Sequence, residues 1–138
     1  MNGETLMRKI AAGFEIADLR PLLDAVDDDV VWKSAMGTPG AFRFGGVYRG
    51  RVGVVQVTSQ IATSYVFRRL CPQEIGSTGE LVWGLFDVDA DYLPAFTPSG
   101  PLKPVRFDLA VHWRLHHGRI VEHRGFFDTS GLLSQQST

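Results

Sequence analysis

Apolar and polar residues alternate with period two along the second half of the chain and with helical spacing near its start. From Val105 to His116, Phe107, Leu109, Val111 and Trp113 fall on one side of a strand, and Arg106, Asp108, His112 and Arg114 on the other. A His117-Gly118 turn leads into a second strand, Arg119 to Phe127, with His123, Gly125 and Phe127 on one face and Glu122, Arg124 and Phe126 opposite. Leu81 to Tyr92 repeats the pattern, with Phe86, Val88 and Ala90 against Asp87, Asp89 and Asp91. Val66 to Glu74 reads as one more strand, made irregular by Pro72, and Gly76 to Gly79 as a turn.

The N-terminal part reads differently. Leu6, Ile10 and Phe14 lie four apart, with Met7 and Ala11 beside them, which predicts one helix face. Asp18 fits as N-cap of a second short helix, with Pro21 in its first turn and Leu19, Leu22, Leu23 and Val26 facing inward. Asp27 to Asp29 end that helix, and Val30-Val31-Trp32 start a strand. Residues 35–47 and 93–104 are rich in Gly or Pro and read as loops. Arg51 to Ser64 is ambiguous: its β-branched valines favour a strand, yet Val52, Val55, Ser59 and Ala62 fit one helical face. Helices followed by antiparallel strands indicate an α+β fold.

Composition narrows the function classes. A chain of 138 residues reads as one domain, residues 1–138, large enough for a core and an internal pocket. The net charge of -1 gives no reason to expect nucleic acid or an anionic membrane as partner. No apolar run of membrane-spanning length and no signal-peptide pattern is visible, so the cytoplasm is the expected compartment. Cys71 is the only cysteine; it is expected to fill core space, and no internal disulfide is possible. Asp87, Asp89 and Asp91 fail the calcium-loop pattern, because Tyr92 and Pro98 stand where Gly and Glu are required. They read as a solvated face with Arg106 and Arg114 as counter-ions. The four histidines lack zinc-ligand spacing, so neither a metal nor another cofactor is expected.

Asp-Asp-Val-Val-Trp at 28–32, Tyr-Arg-Gly at 48–50 and the strand from Gly118 to Thr129 carry a resemblance. They are similar to segments of SnoaL-like proteins, in the wider nuclear transport factor 2-like, or ketosteroid isomerase-like, superfamily. The resemblance implies a cone-shaped α+β barrel: N-terminal helices packed on a strongly curved, mostly antiparallel sheet that encloses one apolar pocket. It also implies a helix after Tyr48-Arg49-Gly50, and a homodimer. The outward face carrying Arg106, Asp108, His112, Arg114, Glu122, Arg124 and Phe126 would pair with itself about a two-fold axis.

Placed on that fold, the inward residues form the expected pocket. They are Ile10 and Phe14 from the first helix, and Trp32 and Ser34 from the first strand. Tyr48, Phe86, Val88, Leu109, Val111, Trp113 and Phe127 complete the substrate-binding set. Ketosteroid isomerase uses a helix tyrosine and two carboxylic groups; the resemblance places Ile10, Ser34 and Val111 there. Limonene epoxide hydrolase uses an Arg-x-Asp pair and a last-strand Asp, where this chain has Phe86, Val88 and Gly125. The last-strand acid of the polyketide cyclases also falls at Gly125. Those mechanisms lose their groups, and His123 remains as the inward residue able to exchange protons near neutral pH.

Three readings stay open. One is an isomerase, cyclase or dehydratase acting on a small hydrophobic, oxygen-bearing molecule with His123 as acid/base. Another is a non-catalytic binder of such a molecule. The third is a dimeric assembly module with a filled core, in which His123 is a satisfied core histidine.

Overall fold

The computed structural model describes residues 2–37, 40–94 and 102–137. Its elements run α1 (Gly3–Glu15), α2 (Arg20–Ala25), β1 (Val26–Ser34), β2 (Gly46–Arg49), α3 (Gly50–Ser64), β3 (Tyr65–Thr78), β4 (Leu81–Tyr92), β5 (Lys103–His116), β6 (Arg119–Phe127) and α4 (Thr129–Ser137). The strands form one sheet in the order β2-β1-β6-β5-β4-β3. Every neighbouring pair is antiparallel except β1 and β6, which run parallel. The sheet curves around the helices, giving the α+β cone expected from the resemblance. Among the described residues no helix is long and apolar enough to cross a membrane.

Helix α1 starts where the Asn2 side chain accepts the Thr5 N–H at 2.8 Å. It buries Met7, Ile10 and Ala11 and packs on β3 and β4. Gly84 of β4 permits this approach, because a Cβ there would lie 2.6 Å from the Met7 sulfur. Both ends of α1 are tied to β3. Ser77 donates to Glu4 at 2.8 Å, and Glu15 accepts the Leu70 N–H at 2.9 Å, beside a bulge between Phe67 and Arg69.

Several local expectations are corrected. Strand β1 begins at Val26, so Asp27 to Asp29 open the strand instead of closing a helix. The ladder with β6 is irregular between Val26 and Val31, and the Val26 carbonyl accepts from Arg51 at 3.1 Å and Arg119 at 2.8 Å. Helix α2 takes Leu19 as N-cap; Asp18, one residue earlier, accepts the Arg20 N–H and pairs with its guanidinium. Residues 46–49, expected as loop and turn, form edge strand β2. Strand β3 runs through Gly76 to Thr78, leaving a turn at Gly79 and Glu80.

Residues 51–64 are helical, but the buried face is not the one expected. Val54, Val57 and Thr58 are buried, whereas Val52 and Val55 are exposed. Cys71 is half-buried on the outer face, opposite Asp87, because inward-facing Leu70 sets the parity. Asp87, Asp89 and Asp91 face outward; they pair with Arg69 at 3.5 Å, Arg106 at 2.7 Å and Arg68 at 3.6 Å, and Arg114 is not among their partners. The loop expected at 93–104 lies partly outside the described residues, and β5 starts within its span, at Lys103.

The tail after Phe127 is a helix. Asp128 caps it by accepting the Gly131 N–H at 3.0 Å. Helix α4 buries Leu132, and Gln135 bonds both the N–H and the carbonyl of Arg106 at 2.8 Å, fastening the helix to β5.

Candidate functional site

A cavity of about 120 Å³ lies between the concave face of the sheet and the helices. Strand parity builds its wall. β5 supplies Phe107, Leu109, Val111 and Trp113, β4 supplies Phe86, and β6 supplies His123, Gly125 and Phe127. β1 adds Trp32 and Ser34, and α1 covers it with Met7, Ile10, Ala11 and Phe14. A void of this size is of the order that holds one ring, since an apolar cavity of about 150 Å³ takes up benzene.

Most of the expected pocket residues meet at this cavity: Ile10, Phe14, Trp32, Ser34, Phe86, Leu109, Val111, Trp113, Phe127 and His123. Two do not reach its wall. Tyr48 sits on β2 opposite Trp32, and its hydroxyl donates to the Gly45 carbonyl at 3.3 Å, so it fastens the preceding loop. Val88 is fully buried in the core, on the same face of β4 as Phe86. The wall also includes Phe44, Ile61, Tyr65, Phe67 and Leu132, which the alternation pattern did not single out. Ile61 follows from the true buried face of α3. Tyr65 and Phe67 share parity at the start of β3, before the bulge.

His123 is the cavity's ionisable group below the phenol range, and it is buried. It stands in a cross-strand row, directly opposite Trp113 on β5 and Trp32 on β1. The Trp113 indole N–H donates to His123 Nδ1 at 3.0 Å. The Trp32 ring stacks on the imidazole with centroids 3.5 Å apart and planes inclined by 13°. Burial pushes the imidazole pKa down to about 3, because the apolar surroundings penalise the cation. The ring is therefore neutral at physiological pH.

Further observations complete the polar inventory. Trp32 Nε1 is buried and has no hydrogen-bond partner among the described residues. Ser34 is buried on the cavity wall beside Gly125, its register partner on β6. At Gly125 a Cβ would lie 3.6 Å from His123 Nε2, so the missing side chain leaves space beside that nitrogen. Burial, with Tyr92 nearby, raises the Tyr65 pKa, and its hydroxyl donates to the Gln136 side chain. Among the described residues no group of three His, Cys, Asp or Glu is placed to hold a metal ion.

An α+β cone with an apolar cavity under its helices defines the class of protein, and the sequence agrees. The chain belongs to the SnoaL-like domain family, whose model matches residues 7–123. No protein of curated function matches the sequence. Solved structures share the fold. A protein of unknown function from Burkholderia pseudomallei K96243, described as NTF2-like, is 22% identical over 100% of both chains, with a TM-score of 0.81. TerC, co-crystallised with polyporic acid, is 22% identical over 94% of this chain and 96% of its own, with a TM-score of 0.73. IdmH from Streptomyces antibioticus, provisionally named a polyketide cyclase, is 23% identical over 97% of both chains, with a TM-score of 0.71.

Proposed function

We propose that the chain binds a small hydrophobic, oxygen-bearing molecule in this cavity. The observation that supports it most is the pairing of an apolar wall with one buried imidazole, beside the space left by Gly125. An apolar cavity with few polar groups is the usual make-up of a small-molecule site. The fold's presence in a provisionally named polyketide cyclase, and in a protein crystallised with polyporic acid, favours an aromatic or polyketide-like ligand. The reaction class that fits is isomerisation or cyclisation, with His123 as the group that meets the ligand's oxygen chemistry.

A non-catalytic binder is the second reading. It is favoured by a specific observation: Val111 and Gly125 stand on the wall, at positions where the resemblance to ketosteroid isomerase, limonene epoxide hydrolase and the polyketide cyclases implies acids. Titration with single-ring aromatic and alicyclic ketones, followed by chemical shifts of Trp32, Trp113 and His123, tests binding. Shifts confined to other surfaces would refute it. If turnover of a ligand is found, His123→Gln should lower kcat by roughly a hundredfold or more. Loss below tenfold in a folded variant would favour the binder.

A further inference from the structure

His123 has two ring nitrogens, and the fold has already assigned one of them. Nδ1 accepts the indole N–H of Trp113. Indole nitrogen is only a donor, so Nδ1 must offer its lone pair and carry no hydrogen. A neutral imidazole then has its hydrogen on Nε2. That nitrogen faces the space beside Gly125, where even a methyl group would sit without a clash, 3.6 Å away. His123 therefore presents an N–H to the cavity, not a lone pair.

The ring stacked on the imidazole carries an N–H of its own. Trp32 lines the cavity, stacks on the imidazole at 3.5 Å and has a buried Nε1–H with no partner among the described residues. That N–H is closed off from the open space of the cavity, so a ligand would not meet it directly. The wall therefore offers the His123 N–H as its fixed donor, with the Ser34 hydroxyl as the other small polar group.

We propose that His123 acts as a neutral hydrogen-bond donor through Nε2–H and holds the oxygen of a carbonyl compound in the cavity. This rests on the small-molecule reading above and narrows it. The acid/base expectation is reduced to its donor side: a base needs a free lone pair, and Trp113 occupies the one His123 has. A fixed donor in an apolar cavity favours a carbonyl oxygen, and favours it more as that oxygen gains negative charge on enolisation. A molecule with only donors of its own, such as an amine cation, is disfavoured.

The test compares cyclohexanone with methylenecyclohexane, a ring of the same shape whose exocyclic group accepts no hydrogen bond. The ratio of their affinities cancels the cavity's general preference for apolar rings. It is measured in the wild-type protein, in His123→Leu and in Gly125→Ala. His123→Leu should lower the ketone-to-alkene ratio by about tenfold, the scale of one lost hydrogen bond. Gly125→Ala puts a methyl group beside Nε2 and should also lower the ratio; it decides the matter if the histidine variant fails to fold. Both rings binding with a ratio unchanged in the folded variants would overturn the donor role and leave the binding reading standing. Neither ring binding the wild-type protein would overturn the binding reading, and the donor role with it.

Discussion

Trp113 and His123 face each other across the β5–β6 ladder, and the indole N–H of one donates to Nδ1 of the other at 3.0 Å. Trp32 completes the row on the far side, stacked on the same imidazole. Three adjacent strands thus hold one histidine between two tryptophans. The pair fixes the histidine's tautomer, and burial fixes its charge.

Stability should depend on pH through His123. Burial lowers its pKa from 6.5 to about 3 in the folded chain. Between those values the unfolded chain binds the proton and the folded chain does not. The contribution is intact above the unfolded value of 6.5 and is lost as pH falls towards 3. Going from about pH 7 to about pH 5 should cost roughly 2 kcal/mol from this group alone. Urea unfolding at both values should show that loss in wild type and not in His123→Gln. Equal pH dependence in the two proteins would contradict it.

Trp113 is a positioning residue in this scheme. Trp113→Phe removes the N–H that holds Nδ1 and leaves either nitrogen free to carry hydrogen. The nitrogen chemical shifts of His123 should move from one defined tautomer to a mixture. Lost stability with an unchanged tautomer would mean that the indole only fills space.

The outer face of the sheet should pair two copies of the chain. Phe126 and Trp83 are exposed there, among Arg106, Arg114, Glu122 and Arg124. Light scattering at micromolar concentration should give twice the chain mass of 15.3 kDa. Phe126→Glu should shift it towards the monomer. A monomeric wild-type protein would remove this proposal.

Much of this was legible in the residues, and the failures have physical causes. Strict alternation defines β4 to its ends, because one face of it is buried, whereas in β6 a register shift buries both Ile120 and His123. Strand β2 escaped notice because four residues that start on a glycine carry no period. Helix α4 escaped because Ser, Gly and Gln leave it little apolar signal beyond Leu132 and Leu133. The α3 helix could be read but not its face, since its valines lie on both sides. At the site, parity put Trp32, Trp113 and His123 on the inside. The Trp113 bond to Nδ1 depends on register and rotamer, which residue order does not express.

The familiar activities of the superfamily should be absent. Ile10 and Val111 offer no donor, and Phe86, Val88 and Gly125 no ionisable group, where the resemblance places the catalytic groups. Δ5-Ketosteroid isomerisation and limonene-oxide hydrolysis should stay near background, since losing an oxyanion donor alone costs roughly a hundredfold or more. Robust turnover of either substrate would show that the residue correspondence is wrong.

Which nitrogen of His123 carries hydrogen can be measured directly, by long-range proton–nitrogen correlation on the ligand-free protein near neutral pH. The predicted spectrum has Nδ1 as an unprotonated, pyridine-type nitrogen and Nε2 as a protonated, pyrrole-type one. Hydrogen on Nδ1, or an imidazolium with both nitrogens protonated, would contradict the donor role assigned to His123.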